Sequence, residues 1–401
     1  MLLVDLCSHQ KPRPPCIPIQ VGQQATIDPA ASQPILGLNF RALVARAGLF
    51  RVSVTSVFRH GGKRFGMKSP GKLKLTFYLL GLAGAALFTG LLIREGAARV
   101  MQALVTPEWV ILGIVAFHSV PLFVDAIAWW ILFPRAERIP LVQLFWMRWI
   151  GESVSTLVPS AAVGGDIVRA RLAAFKGAPL ATAAATVIVD LTLGVFLTAG
   201  FTILGLLLLV HGTGQTSFVR PTMFGLVIAL FAFGGFYIAQ RKGMFGFVGR
   251  LISRLAGSAE WQSLGTRGET LDETVRSLYR RRRGLVGCCV WTIISFLAAA
   301  GEIWIALYGM DLPASFANAI IFQSTAFTIR SAAFAVPGGL GVQEGGYVFV
   351  GSLLGIPGES AFALSLIMRI RELGIGIPGL ITWQFIEGRR LLRSRTAAGS
   401  S

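Results

Sequence analysis

The segment Val336–Pro357 reads VPGGLGVQEGGYVFVGSLLGIP. Glycine and proline interrupt helices, and Glu344 is charged, yet the segment sits between long apolar runs. Residues 158–179 read VPSAAVGGDIVRARLAAFKGAP. The two stretches align without a gap at an offset of 178 residues. Val158 meets Val336, Pro159 meets Pro337, Asp166 meets Glu344, Gly177 meets Gly355 and Pro179 meets Pro357. Both lead into a long apolar helix, where Ala183 and Ala185 extend the match to Ala361 and Ala363. We read an internal duplication built around a helix break and an acid. The breaks fall at Pro159 in the first copy and at Pro337, Gly338, Gly339 and Gly341 in the second.

The surroundings of these stretches are those of a membrane protein. Hydrophobic residues make up 54% of the 401 and charged ones only 14%. Mean hydropathy is +0.66. A soluble chain of this length needs more charge to cover its surface. Several runs reach the ~20 residues that cross a bilayer as a helix. They do not alternate with period two, which excludes a β-barrel reading. The net charge of +18 fits basic loops on the cytoplasmic side and attraction to anionic lipid. No folded basic domain with interleaved aromatics is visible, so nucleic acid is not an expected partner. Cys7, Cys16, Cys288 and Cys289 have no spacing that indicates a metal site or a disulfide framework.

Along the chain, residues 1–66 read as a poorly structured basic tail, with prolines at 12, 14, 15 and 18. Residues 67–390 read as one transmembrane domain and 391–401 as a basic disordered tail. Full spans are expected at 74–93, 108–133, 178–210, 221–240, 284–308 and 359–385. Two further apolar regions, 141–175 and 315–356, are broken in the middle and read as re-entrant. The repeat segments are then 141–210 and 315–385. The loop 241–283 is rich in Arg and Lys and ends in the run Arg280–Arg283. Its stretch FGFVGRLISRL reads as amphipathic helix lying on the membrane. Basic loops place this segment and both termini in the cytoplasm. An odd number of crossings between the copies then makes them inverted repeats, an arrangement used by secondary transporters, with sites near the midplane.

Charge at membrane depth is costly, so embedded ionisable groups pair or face a cavity. Those expected at depth are His118, Asp125, Arg148, Glu152, Asp190, Glu302, Arg330, Arg369, Arg371 and Glu372. Arg148 and Glu152 are four apart, on one helix face. Glu152 lies seven residues before Pro159 and Arg330 seven before Pro337, so the copies carry opposite charges at equivalent places and an Arg330–Glu152 contact is conceivable. Arg369 and Arg371 have the chemistry to hold a lipid phosphate, or to pair with Glu372 or Glu344. Asp166 and Glu344 cap returning helices, line a site, or do both. His118, on an apolar helix, reads as a packing residue. No Walker A loop, HExxH, GxSxG or dinucleotide fingerprint occurs, so no catalytic residue, metal or cofactor is expected.

The stretches RSAAFAVPGGLGVQEGGYVFVGSLLGIP and ALSLIMRIRELGIGIPGL resemble the C-terminal signature of the flippase-like membrane family that includes the transmembrane region of lysylphosphatidylglycerol synthases. LVPSAAVGGDIVRARLAAFKG resembles the same family's first signature. The resemblance covers roughly residues 74–390. The wording around Arg330 to Glu344 most resembles hopanoid-biosynthesis-associated members. Pro159, Asp166, Arg169, Pro337, Gly338, Gly341, Glu344 and Arg369 match the family's motifs. The resemblance implies a bacterial inner-membrane protein whose partners are membrane lipids, a hopanoid or an anionic phospholipid, and hopanoid-pathway enzymes. Synthases of this family carry a soluble aminoacyl-transferase domain after the membrane part. This chain stops shortly after the last apolar helix, which speaks against lysyl transfer by the chain alone.

Two functions fit. One is translocation of an amphipathic lipid through a polar midplane cavity, with Asp166, Glu344, Arg169, Arg330, Arg369, Arg371 and Glu152 along the path. The alternative is a membrane component of lipid biosynthesis. A further expectation concerns the start of translation: MKSPGKLKLTFYLLG reads as a basic start leading directly into a membrane helix. A native start at Met67 predicts no residues upstream of it on N-terminal sequencing; peptides from 1–66 would refute it.

Overall fold

In a computed structural model of the chain, the described residues are 82, 86–104, 108–158, 164–214, 216, 219–248, 259–332 and 339–398. All lie in the unit Arg64–Ser401. Every regular element among them is helical. Besides a 3-10 turn at Arg135–Glu137, the helices in chain order are α1 (Ala97–Ala103), α2 (Glu108–Phe117), α3 (Ser119–Leu132), α4 (Leu141–Leu157), α5 (Gly164–Phe175), α6 (Leu180–Thr213) and α7 (Val219–Lys242). They continue as α8 (Ala259–Arg280), α9 (Arg282–Gly309), α10 (Phe316–Ala332), α11 (Val342–Leu353) and α12 (Gly358–Ala398).

Four helical stretches among the described residues are long and apolar enough to cross a membrane: Glu108–Leu132, Leu180–Thr213, Val219–Lys242 and Arg282–Gly309. These match four of the six expected spans. Most of the first, 74–93, lies outside the described residues. The last, 359–385, is part of α12, a continuous helix of 41 residues. Arg369, Arg371 and Glu372 lower its hydropathy, so its length alone marks it. The helix also runs to Ala398, past the boundary expected at 390, because the Arg-, Leu- and Ala-rich end contains no strong breaker.

The two regions expected to be broken are each two helices. The first is α4 followed by α5; the second is α10 followed by α11. Pro159, Pro337 and Gly338 fall in the intervening stretches, outside the described residues. The offset of 178 carries over into the elements: α5 begins at Gly164 and α11 at Val342, and both have 12 residues. Next come α6 at Leu180 and α12 at Gly358, each following a Gly-x-Pro turn. Gly177 and Gly355, equivalent in the copies, both adopt positive φ, 101° and 71°. The packing is exchanged between the copies: α12 lies against α4, and α6 against α10.

Two apolar clusters hold these helices. One is built around Trp129, Phe133, Leu144, Ile150, Val187 and Leu278. The other gathers Ile114, Leu307, Phe322, Tyr347, Ile367 and neighbours. By contrast, α7 buries only Gln240, and Phe224 and Phe231 lie open on it. An apolar face of that kind is suited to lipid. Gln240 is held by polar neighbours: Tyr279 Oη donates to its Oε1 at 2.8 Å, and its Nε2 donates to Thr192 Oγ1 at 3.1 Å. Burial pushes the Tyr279 hydroxyl above its ordinary pKa, so it stays a donor. The loop expected to be amphipathic contains α8, which buries Val275 and Leu278 and whose Asp272 accepts the backbone N–H of Phe245 and Gly246. The end of FGFVGRLISRL lies outside the described residues.

Glycines set the closest approaches. A Cβ on Gly165 would stand 2.0 Å from the Gly151 carbonyl oxygen, so α4 and α5 meet backbone to backbone. A Cβ on Gly205 of α6 would lie 1.8 Å from Ser324 Oγ and 2.7 Å from Ser324 Cβ of α10. Gly200, on the same helix, has open space. Gly205→Ala is therefore expected to destabilise the purified protein by about 1–3 kcal/mol through overpacking, and Gly200→Ala to leave it unchanged or slightly stabilised. Thermal unfolding in detergent separates the two.

Candidate functional site

A cavity of about 380 Å³ opens among α3, α4, α5, α6, α9, α10 and α12. Charged side chains line it: Arg148, Glu152, Asp166, Arg169 and Asp190 from the first copy, Arg330 and Arg371 from the second, and His118 and Asp125 from the helices before them. So large a set of charges on apolar helices demands mutual compensation, and the geometry supplies it as two linked networks.

The first joins α3, α4, α5 and α6. Arg148 donates to Asp190 Oδ2 at 2.7 Å and to Asp125 Oδ2 at 3.0 Å. Arg169 donates to the same Asp190 oxygen at 3.0 Å and to Asp166 Oδ1 at 2.6 Å. Arg169 is 3% exposed, and its guanidinium lies 5.1 Å from the centre of the Trp129 ring. It fits there because Gly151 has no side chain: a Cβ at 151 would meet Arg169 Cγ at 2.5 Å.

The second joins the α2–α3 joint, α4, α9, α10, α11 and α12. His118 Nδ1 lies 2.9 Å from Glu302 Oε1 and its Nε2 3.0 Å from Glu152 Oε1. Pro121 has no N–H to give the Phe117 carbonyl, and the helical run is interrupted at His118. Arg371 pairs with Glu302, and its Nη2 lies 3.7 Å from Glu372 Oε1. Glu372 also takes Arg330 and, at 3.1 Å, Arg369. Arg369 Nε donates to Glu344 Oε1 at 2.9 Å. The other Glu344 oxygen accepts the Gly341 N–H at 2.7 Å, where Gly341 turns the chain at φ 76°. Glu344 therefore both caps α11 and balances a cation, and it is fully buried.

A second cavity, about 450 Å³, adjoins this network. Glu344, Arg369 and Glu372 form part of its wall, and Phe88, Leu157, Leu340, Leu366 and Leu373 make it apolar elsewhere. It thus combines a charged wall with an apolar one.

The structure gathers the residues singled out in sequence; Arg369 and Arg371 meet Glu344 and Glu372, one of the alternatives expected, while other charges take different partners. Glu152, Asp166, Arg169, Arg330 and Arg371 line the first cavity; Glu344 and Arg369 face the second. Gly339 and Gly341 both take positive φ. Arg330 pairs with Glu372 and Glu152 with His118, in place of a direct Arg330–Glu152 contact, although both line one cavity. Arg148 turns away from Glu152 to Asp125 and Asp190, which are nearer to its guanidinium. Sequence reasoning left His118 as a packing residue and gave Glu302 no role. Their signal was present: an ionisable group in the interior of each of two strongly apolar helical stretches.

The fold and its buried charges define an all-helical, multi-pass membrane protein. Residues 78–379 match the lysylphosphatidylglycerol synthase TM region. The chain belongs to that family, which ties it to lipid metabolism. No curated protein matches the chain.

The networks make contrasting predictions for two arginines. Arg371→Ala takes the guanidinium from Glu302, which is fully buried, and leaves it His118 as its partner, so it should cost about 3 kcal/mol, the low end for breaking a buried pair. Arg330 has a side chain 48% exposed, and Glu372 retains Arg369 and Arg371, so Arg330→Ala should cost about 1 kcal/mol or less. Thermal denaturation of the two purified variants measures the difference.

Proposed function

We propose that the chain moves an amphipathic lipid across the bacterial inner membrane. The observation that carries this reading is the polar cavity itself: a space of about 380 Å³ walled by paired charges, inside a bundle of apolar helices. Paired charges can exchange partners, so a headgroup can replace one member of a pair without leaving the other bare in a low dielectric. The neighbouring cavity, part charged and part apolar, suits the junction of headgroup and acyl chain. Arg169, Arg330, Arg369 and Arg371 have the forked geometry that holds phosphate. Asp166, Glu344 and Glu152 hold those arginines, or a cationic part of the cargo.

In this reading the repeats are inverted about the membrane plane, with six crossings and two re-entrant segments. Both termini and the loop 241–283 lie in the cytoplasm. The constant offset of the elements and the exchange of packing between the copies support it, since related halves that pack on each other can rock about a central site. The cargo is a hopanoid or an anionic phospholipid, and hopanoid-pathway enzymes are the expected neighbours.

A second reading follows from the family's name, which belongs to a synthase. It makes the chain a membrane component of lipid biosynthesis. Lipid analysis of a deletion strain, total and outer-leaflet, divides the two. Translocation predicts unchanged totals with one species missing from the outer leaflet; biosynthesis predicts its disappearance altogether.

The site itself is tested with Asp166→Asn and Glu344→Gln. Each amide keeps the shape and an acceptor oxygen and removes a charge, while Glu372 and Asp190 still hold Arg369 and Arg169. Charge-assisted hydrogen bonds contribute about 1.5–3 kcal/mol, so translocation in reconstituted vesicles should fall about tenfold or more, while circular dichroism shows the helical fold kept and the unfolding temperature falls by no more than that loss implies. Full activity in both variants would remove these acids from the path.

A further inference from the structure

The imidazole of His118 lies between two carboxylates, with Glu152 Oε1 3.0 Å from Nε2 and Glu302 Oε1 2.9 Å from Nδ1. An ionised carboxylate only accepts hydrogen bonds, and a neutral imidazole has a single N–H. Both contacts can be hydrogen bonds only if the trio holds one proton more than a neutral histidine with two carboxylates. Charge around the site agrees. In the second network Glu152, Glu302, Glu344 and Glu372 face Arg330, Arg369 and Arg371, four carboxylates against three guanidiniums. An imidazolium at 118 closes the balance.

Resting on the translocation reading above, we propose that His118, Glu152 and Glu302 form a proton-binding site, loaded from the cavity through Glu152, whose filling and emptying drives lipid movement. Access is one-sided. The Glu152 side chain is 35% exposed and lines the cavity, whereas Glu302 is fully buried. In loading, a proton from the cavity binds Glu152 and passes to the free Nε2 of His118, leaving Glu152 ionised and the imidazolium bonded to both acids. In release, the proton returns by the same carboxylate. One ring nitrogen then presents a lone pair to a carboxylate oxygen about 3 Å away, and two acceptors at that distance repel.

The relief is built in. Release through Glu152 bares Nε2, so the tie of the α2–α3 joint to α4 is the one that loosens, while Nδ1 keeps its N–H toward Glu302 and the tie to α9. Arg371 Nη1, 3.1 Å from Nδ1, then faces a neutral ring in place of a second cation, which lets α12 draw closer. The charged groups facing His118 are Glu152 and Arg148 from α4, Glu302 from α9, and Arg371 and Glu372 from α12, with Asp125 further along on α3. The proton thus decides which helices are tied together.

The test uses the full chain, with its four histidines labelled with ¹⁵N, in phosphatidylethanolamine–phosphatidylglycerol vesicles. The signal of His118 is identified by its loss in His118→Gln. Two protonated ring nitrogens at pH 7 are expected, with Glu152→Gln weakening the retention of the second proton; one bare ring nitrogen at pH 7 overturns the proposal.

Coupling is read in the same vesicles from the leaflet ratio of fluorescent phosphatidylglycerol under a gradient of one pH unit. One proton per lipid shifts that ratio about tenfold, and in His118→Gln it should stay near one. Lipid that moves at a wild-type ratio near one overturns the coupling and leaves translocation standing. Lipid that does not move at all, while other lipids also stay put, removes the translocation reading and the coupling with it; the nitrogen spectra then decide the proton site by themselves.

Discussion

Every arrangement in the centre of this protein answers to one constraint: a charge surrounded by apolar helices must meet an opposite charge or a polar space. Ten arginines, histidines and acids expected at membrane depth, together with Asp166, Arg169 and Glu344, meet this constraint collectively. Asp190 serves two arginines, and Glu372 is approached by three. Sharing of this kind gives most of these guanidiniums more than one carboxylate, and it ties together helices far apart in the chain. Arg171 and Glu387, for example, join α5 to the far part of α12 at 2.9 Å.

The same constraint explains the glycines. A guanidinium can reach a carboxylate on the next helix only if the backbones are close or the side chain has room to lie along the interface. Gly151 provides that room for Arg169, and Gly165 lets α5 come against α4. Gly379 of α12 makes a comparable approach to Ser153 of α4, where a Cβ would stand 2.0 Å from the hydroxyl. Close approach, in turn, depends on the apolar clusters that fix the helices on either side. Packing and charge pairing are thus parts of one design, in which polar groups choose their partners and small residues make the choice reachable.

A network of shared partners is also suited to change. In the two central networks ion pairs share members, so a partner can be exchanged with a neighbour already in place. His118 is the clearest case, with two acids and a guanidinium within 3.1 Å of its ring nitrogens. The repeat adds a mechanical counterpart, because α4 rests on α12 and α10 on α6. Each copy therefore bears on the other, and an exchange of partners at the shared cavity is felt in both.

Much of this was legible in the sequence. Composition alone established a helical membrane protein, since long apolar runs without alternation leave few other folds. The offset of 178 residues between the Pro-acid-Gly-Pro stretches predicted matching elements, and α5 and α11, with α6 and α12, begin at that offset. The acids and arginines of the two motifs were marked because a charge on an apolar segment is conspicuous. Sequence also offered Glu344 and Glu372 as partners for Arg369 and Arg371, as the structure has them, but it did not provide the partners of the other charges. Spacing along a helix proposed Arg148 with Glu152, and equivalence in the repeat proposed Arg330 with Glu152. The tertiary structure chose Asp125, Asp190, His118 and Glu372 instead, because these pairings depend on how helices distant in the chain cross. Local spacing fixes a residue's face; only the crossing of helices decides what that face meets.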